Sequence, residues 1–282
     1  MADNKTKFRV GLVQMRTGKN IEENLEQAES FIRDAAGRGA NYVQTPENTL
    51  VMEVDAQHLL EKISPEGETA GVAHFSHLAK ELGIWLHIGS LAVKVGEGLA
   101  ANRAFLFAPD GRAVCRYDKI HMFDVDLPSG ESYRESATFA PGNCTYVVEL
   151  PWGGLGIATC YDIRFPEQYK ALARAGAKFL TAPSAFTKVT GEKHWHVLLR
   201  ARAIENGCFV FAAAQGGWHA NGRTTFGHSM AISPWGEIMA EAGTEPGVIV
   251  ADIDAEEVNR VRARIPVLDH TRDFKVETVR LP

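Results

Sequence analysis

Cys160 stands where an apolar run, GGLGIATC, gives way to YDIRFPEQYKALARAGA, a segment with helical spacing. A thiol at that junction lies at the C-terminal end of a strand and near a helix N-terminus, where exposed N–H groups favour a thiolate and, later, an oxyanion. That position suits a nucleophile. It also suits a side chain that only fills a strand end, since free cysteine is among the most buried residue types. Two further strand-like runs end on reactive polar residues, NYVQTPE on Glu47 and AVCRYDK on Lys119. Singly, an acid after Pro46 can partner a helix cap and Lys119 can be a solvated surface lysine. Together with Cys160 they make a chemical set. A thiol needs a base, a carboxylate whose pKa a dry pocket has raised can serve as one, and a nearby cation stabilises both thiolate and anionic intermediate. In α/β sheets, sites gather at the carboxyl ends of strands.

The elements that must carry these residues alternate from the start. FRVGLVQM reads as a strand, IEENLEQAESFIRDAAGRG as a helix with Ile21, Leu25, Ala28, Ile32 and Ala35 on one face, and NYVQTP as a second strand. Residues 69–82 place Val72, Phe75, Leu78, Ala79 and Leu82 in helical register, and IWLHIGSLAV is a third strand. RAFLFAPDGRAVCRYD turns at Pro109-Asp110-Gly111 and predicts a hairpin, and TYVVELPWGGLGIATC a further strand pair. After Cys160 come a helix, the strand KFLTAPS, a helix from about 192 to 206, the strand CFVFAAAQ, the hairpin SMAISPWGEIMAEA, the strand VIVADID and a last helix near 256–264. This order predicts an α/β protein with mixed sheets covered by helices. With no linker-like run and no repeat, a single domain is expected over 1–282, residues 266–282 forming an extended arm.

Composition narrows the partners. The 282 residues are 45% hydrophobic and 23% charged, ordinary globular proportions. A net charge of −5, with acids and bases mixed, gives no reason to expect nucleic acid or an anionic membrane surface. The start MADNKTKFRVGLVQM has no apolar stretch of signal-peptide length, so a cytoplasmic protein is expected. Cys115, Cys144, Cys160 and Cys208 show neither C-x-x-C nor zinc-type spacing and read as reduced thiols. His194 and His196, two apart on a helix, point to different faces, and no metal site is expected there. Asn143-Cys144-Thr145 matches a glycosylation acceptor that has no consequence without a secretory signal.

QTPENTL, RYDKIHMFDVDL and GLGIATCYDIRFPE resemble, in order and spacing, the glutamate, lysine and cysteine motifs of the nitrilase superfamily of carbon-nitrogen hydrolases, and the resemblance runs from about Phe8 to Phe274. Thr159 departs from it, standing where an apolar residue is more frequent. The resemblance implies a four-layer αββα sandwich and amide hydrolysis through a thioester, with no cofactor. It implies Cys160 as nucleophile, Glu47 as general base, Lys119 with the Tyr161 backbone N–H as oxyanion hole, and Glu135 as a second acid that positions substrate or water. FDVDLPSGESYRES, AFTKVTGEKHWHVLLRARAIENGCFVFAAAQ and FGHSMAISPWGE resemble the deaminated glutathione amidase branch, with the omega-amidases acting on 2-oxoglutaramate as near neighbours. The substrate expected is therefore a small 2-oxo acid amide.

In that branch Arg164 is expected to grip the 2-oxo acid carboxylate through two parallel hydrogen bonds, against the plainer role of tying down a helix start. Phe186 and Thr190 are expected to line the pocket. Trp195, Leu198, Leu199 and Arg202 share a helical stripe, so Arg202 is expected to be buried and paired. Family members usually pair as homodimers through helices after the cysteine, which makes this helix a candidate surface. Two readings of other classes stay open: a catalytically retired scaffold that binds partners, and a redox-sensing thiol at Cys160.

Overall fold

The computed structural model describes residues 6–128 and 130–281. Along the chain run β1 (Lys7–Gln14), α1 (Ile21–Gly37), β2 (Tyr42–Gln44), α2 (Ala56–Lys62), α3 (Ala70–Leu82), β3 (Trp85–Gly96), β4 (Leu99–Phe107) and β5 (Ala113–Asp118). The short β6 (Asp124–Asp126) and β7 (Ser132–Arg134) pair as a ribbon, followed by β8 (Val147–Leu150), β9 (Gly153–Gly156) and a 3-10 turn over Cys160–Arg164. Then come α4 (Pro166–Arg174), β10 (Ala177–Thr181), α5 (Lys188–Asn206) and β11 (Phe209–Ala212). A second ribbon joins β12 (Gly216–Trp218) to β13 (Thr224–Phe226), before β14 (Met230–Ile232), β15 (Ile238–Glu241), β16 (Gly247–Asp254) and α6 (Glu256–Arg264).

The long strands form two mixed sheets, in the orders β16-β1-β2-β3-β4-β5 and β15-β14-β11-β10-β9-β8. Strand alternation assigns the layers. On β1, Phe8, Val10 and Leu12 meet Phe179, Phe209 and Phe211 of the second sheet, while Val13 turns outward toward α1. On β10 and β11 the intervening Leu180, Val210 and Ala212 face α4 and α5, where Tyr169, Leu172, Trp195 and Leu199 cover them. The other outer layer packs Ala28 and Ile32 of α1 and Phe75 and Leu78 of α3 on Val43, Leu86 and Ile88. Each sheet is thus apolar on both faces, as period-2 geometry between two covering layers requires. The result is the four-layer αββα order.

Helix ends follow their local chemistry. The Asn20 carboxamide accepts the Glu22 and Glu23 N–H groups at the start of α1, with both acids in the first turn. α3 stops at Gly83, whose φ of 65° is left-handed. α5 begins at Lys188, earlier than the spacing predicts, with Gly191 inside its first turns. A side chain at 191 would meet the Phe226 ring at 2.3 Å, so this glycine marks close packing on β13. Beyond α6, residues 271–281 carry neither helix nor strand, and Phe274, Val276, Val279 and Leu281 are exposed. Among the described residues no helix is long and apolar enough to cross a membrane.

Candidate active site

Glu47 follows β2 through Thr45 and Pro46. Thr45 N–H donates to His87 O at 2.9 Å, and β3 comes so close beneath that a Cβ on Gly89 would lie 2.3 Å from Thr45 O. The Glu47 carboxylate is buried and fixed through both oxygens. Oε1 accepts Lys119 Nζ and Asn102 Nδ2, each at 2.9 Å, and Oε2 accepts Ala185 N–H at 2.8 Å. Lys119 directly follows β5, its N–H donating to Asn102 O at 3.0 Å. Its ammonium also donates to Glu135 Oε1 at 3.0 Å and Oε2 at 2.8 Å. Glu135 is held in turn by Asn102 Nδ2 at 3.0 Å and Phe123 N–H at 2.7 Å. Asn102, with one amide on both acids, is a site residue that sequence reading missed. Its signal was a polar side chain inside the apolar strand LAANRAFLF.

The protonation states follow from this geometry. Burial opposes the Lys119 ammonium, but the charges of Glu135 and Glu47 hold its pKa well above the usual lysine value. Burial first, then the Glu47 charge, pushes the Cys160 thiol far up, against the opposing charge of Lys119. The expectation of a raised pKa for Glu47 is corrected. Burial does act upward, but the Lys119 charge and the hydrogen bonds of Cys160, Lys119 and Ala185 outweigh it, leaving the carboxyl below its ordinary range. The resting pair is therefore a neutral thiol beside an ionised carboxylate.

Cys160 opens the 3-10 turn with φ 49°, a left-handed conformation that costs a non-glycine residue about 1–2 kcal/mol. Surrounding bonds hold it there: Cys160 N–H donates to Pro183 O at 3.0 Å, and Arg202 Nε donates to Ile163 O at 2.8 Å. Arg202 is buried, also pairing with Glu205 at 2.7 Å, as its stripe predicts. Asp162, fully buried, accepts Thr159 N–H at 2.8 Å, the Tyr117 hydroxyl at 2.5 Å, and both His121 N–H and Nδ1, at 3.1 and 2.7 Å. Thr159 itself is fully buried in extended backbone.

Two expectations about this junction need correction. β9 stops at Gly156, so only the first half of GGLGIATC is strand; beyond it Ala158 N–H bonds the Thr181 hydroxyl at 3.0 Å instead of a backbone carbonyl. No long helix starts at the thiol either, because Pro166 begins α4, a favoured first position for proline.

A cavity of about 390 Å³ opens above the cysteine. Glu47, Lys119, Glu135, Cys160, Tyr161, Phe186 and Thr190 all line it. Arg164 does not. Its guanidinium lies 5.2 Å from the Phe186 ring centre and 5.9 Å from that of Tyr161, with two nitrogens 3.3 Å from His194 Nδ1. Two arginines do line the cavity, Arg134, which is paired with Asp126, and Arg223, in the turn between β12 and β13, unremarked in the sequence because GGWHANGRTTF reads as an ordinary polar turn.

His194 and His196 do face apart, one to Arg164 and the other to Glu241. Among the described residues, the place where ligand-type atoms converge is His196, His228 and Glu241. There His196 Nε2 and His228 Nδ1 lie 2.8 and 2.7 Å from the same Glu241 oxygen. These three do not line the cavity. All four cysteines are free, Cys144 exposed and the others buried.

The carbon-nitrogen hydrolase family model matches residues 9–263. A deaminated glutathione amidase of Synechocystis sp. is 42% identical over 262 residues, 92% of this chain and 96% of that protein. An omega-amidase of Danio rerio is 37% identical over 270 residues, 95% and 96% of the two chains. The C. elegans NitFhit protein superposes with a TM-score of 0.87 at 32% identity, covering 95% of this chain and 65% of that longer one. Because the match takes in all three segments that build the buried Glu47–Lys119–Cys160 centre, the chain belongs to the carbon-nitrogen hydrolase family.

Proposed function

We propose that this chain is an amidase that hydrolyses deaminated glutathione to 2-oxoglutarate and cysteinylglycine through a thioester on Cys160. The observation that carries the mechanism is the Glu47 carboxylate, pinned through both oxygens between Lys119 and Ala185 N–H and ionised beside a protonated thiol. As sulfur attacks the carbonyl carbon, the thiol proton passes to Glu47 Oε and the carbonyl π pair moves onto oxygen. Lys119 Nζ and the Tyr161 N–H hold that oxyanion. The Tyr161 N–H precedes the first hydrogen bond of the turn, which runs from Asp162 N–H to Thr159 O. Glu47 then gives its proton to the leaving nitrogen, the C–N bond breaks, and the acyl group stays on sulfur. Water loses a proton to Glu47, attacks the thioester and releases the acid, and the thiolate recovers the proton from Glu47. Glu135 keeps the ammonium aimed through Oε1 and Oε2, and one of the hydrogens it holds at rest turns to the oxyanion as that charge forms.

A base whose pKa lies below the ordinary range is weak, so proton transfer accompanies C–S bond formation and does not precede it. The arrangement also disfavours the redox-sensor reading, which needs an exposed thiolate, whereas Cys160 is buried and protonated. The intact triad disfavours a retired scaffold.

For the acyl half, Arg164 can read the carboxylate only if its guanidinium, which no acid pairs with among the described residues, moves past the Phe186 and Tyr161 rings that now stand between it and the cavity. The 42% likeness to a deaminated glutathione amidase supports that substrate over 2-oxoglutaramate, the omega-amidase substrate with the same acyl half. A homodimer through α5 is supported by Val197 and Ile204, exposed one heptad apart on that helix, and a reducing cytoplasm by the free cysteines. The test is release of 2-oxoglutarate and cysteinylglycine from deaminated glutathione by the full chain. The expected result is turnover that Cys160→Ala abolishes, at a kcat/KM at least about tenfold above that for 2-oxoglutaramate. Equal values or a preference for 2-oxoglutaramate would move the assignment to omega-amidase.

A further inference from the structure

We propose that Arg223 builds a second carboxylate-binding subsite on the leaving-group side of the cavity, so that the chain selects amides whose amine half itself ends in a carboxylate. The inference rests on the amidase reading above and deepens it.

Arg223 lines the cavity with most of its hydrogen-bonding capacity unspent. Its side chain makes one hydrogen bond to the described residues, Nη2 to Ala185 O at 3.2 Å, and the guanidinium carbon lies 5.0 Å over the Tyr133 ring. Nε is buried with no partner. Leaving a buried N–H unpaired is costly, and the great majority of such groups are satisfied, so an orphaned guanidinium N–H at a cavity wall is a donor reserved for a ligand. The other charges along this wall are already matched. Lys119 is shared by Glu47 and Glu135, Arg134 grips Asp126 through two hydrogen bonds, and Glu53 is held by Lys62 and Lys19. Arg223 has no such acid within ion-pair distance among the described residues.

The placement says which half of the substrate it meets. Ala185 N–H holds Glu47 Oε2, the group that protonates the departing amine, and the carbonyl of that same residue holds Arg223. The turn carrying Arg223 is closed by His219 N–H to Arg223 O at 2.9 Å, and Asn221 Nδ2 clasps Met52 O at 3.2 Å in the segment after Glu47. Arg223 therefore belongs to the proton donor's side of the cavity. Nε and the second hydrogen of Nη2 form the parallel fork that matches a carboxylate, which a lone ammonium cannot reproduce. A dipeptide amine such as cysteinylglycine carries that carboxylate a few atoms beyond the scissile nitrogen, whereas ammonia carries none.

The test compares deaminated glutathione with its C-terminal carboxamide, isosteric but uncharged at that end, on the full-length protein and on Arg223→Gln. The wild type is expected to favour the free acid at least about tenfold in kcat/KM, and the ratio is expected to fall to within about twofold of unity in Arg223→Gln. A structural role would lower both substrates together and leave the ratio in place, which would overturn the proposal. Equal turnover of acid and carboxamide by the wild type would overturn it too while leaving the amidase reading standing, and that comparison needs no variant to fold. Turnover of 2-oxoglutaramate with neither dipeptidyl amide cleaved would instead overturn the deaminated glutathione reading, and the subsite with it.

Discussion

The Tyr117 hydroxyl reaches across the sandwich to Asp162 Oδ2 at 2.5 Å, tying the strand that ends just before Lys119 to the turn that carries Cys160. The same carboxylate accepts His121 N–H, two residues past Lys119, and Thr159 N–H, the residue before Cys160. One buried acid, which does not line the cavity, therefore ties the backbone beside Lys119, the proposed oxyanion donor, to the turn that carries Cys160, the proposed nucleophile.

Asp162→Asn should break part of that span, since an amide nitrogen must then face one of the donors. Misplacing a reacting group by about 1 Å can cost about a hundredfold, so kcat is expected to fall about 10- to 100-fold with KM moving less. Tyr117→Phe should fall in the same direction by less. Steady-state kinetics with a thermal melt on each variant check this; loss of stability with kcat per folded molecule unchanged would make Asp162 purely structural.

Cys160→Ala and Glu47→Gln should each reduce turnover by at least about a thousandfold, and the double variant should be little worse than either, because members of one catalytic unit are non-additive. In Glu47→Gln an NH₂ group must also face either Lys119 Nζ or Ala185 N–H, both donors. A double variant far below both singles would show that the two act separately.

The pH profile follows from the protonation states. In the proposed mechanism Glu47 works ionised, and its folded pKa lies below the ordinary value of 4.5, so activity should be lost only as pH falls through that lower pKa. kcat/KM should therefore stay flat from about pH 8 down to about pH 5, where an ordinary glutamate would still be ionised. An acid limb centred above pH 5.5 would contradict it. Alkylation by iodoacetamide, mapped by mass, should mark the exposed Cys144 before Cys160, whose thiol is pushed far up.

Stability carries a separate signature. His87 is fully buried against the Tyr42 hydroxyl at 2.8 Å, and burial pushes its imidazole down to about 3. The folded state keeps His87 neutral while the unfolded chain protonates it near 6.5, so its contribution is fully present above about pH 6.5 and is lost as pH falls toward 3. The slope is at most about 1.4 kcal/mol per pH unit. Denaturant midpoints between pH 6.5 and 4.5 should fall more steeply for the wild type than for His87→Gln; parallel lines would contradict it.

The candidate site was legible in the sequence because Glu47, Lys119 and Cys160 each end a strand-like run; singly each has a plain structural reading, and only as a set do they suggest chemistry. Phe8, Val10 and Leu12 likewise announced their sheet by alternation. What stayed hidden depends on contacts distant in the chain. The pKa of Glu47 could not be read from local dryness, because Ala185 N–H and Lys119, 138 and 72 positions away, reverse the effect of burial. Arg223 was hidden because nothing local tells a turn arginine at a cavity wall from one in solvent, and Arg164 was placed at the pocket by resemblance although its guanidinium lies behind the rings of Phe186 and Tyr161. Gly191 blurred the start of α5 because a glycine needed for packing on Phe226 looks, in sequence, like a helix boundary.

The most direct measurement is intact-mass spectrometry of the full chain quenched in acid during turnover of deaminated glutathione. A covalent adduct with the mass of the 2-oxoglutaryl group, mapped to Cys160 and absent in Cys160→Ala, is the predicted result. Steady release of 2-oxoglutarate with no acylated enzyme at any quench time, and undiminished by Cys160→Ala, would contradict it.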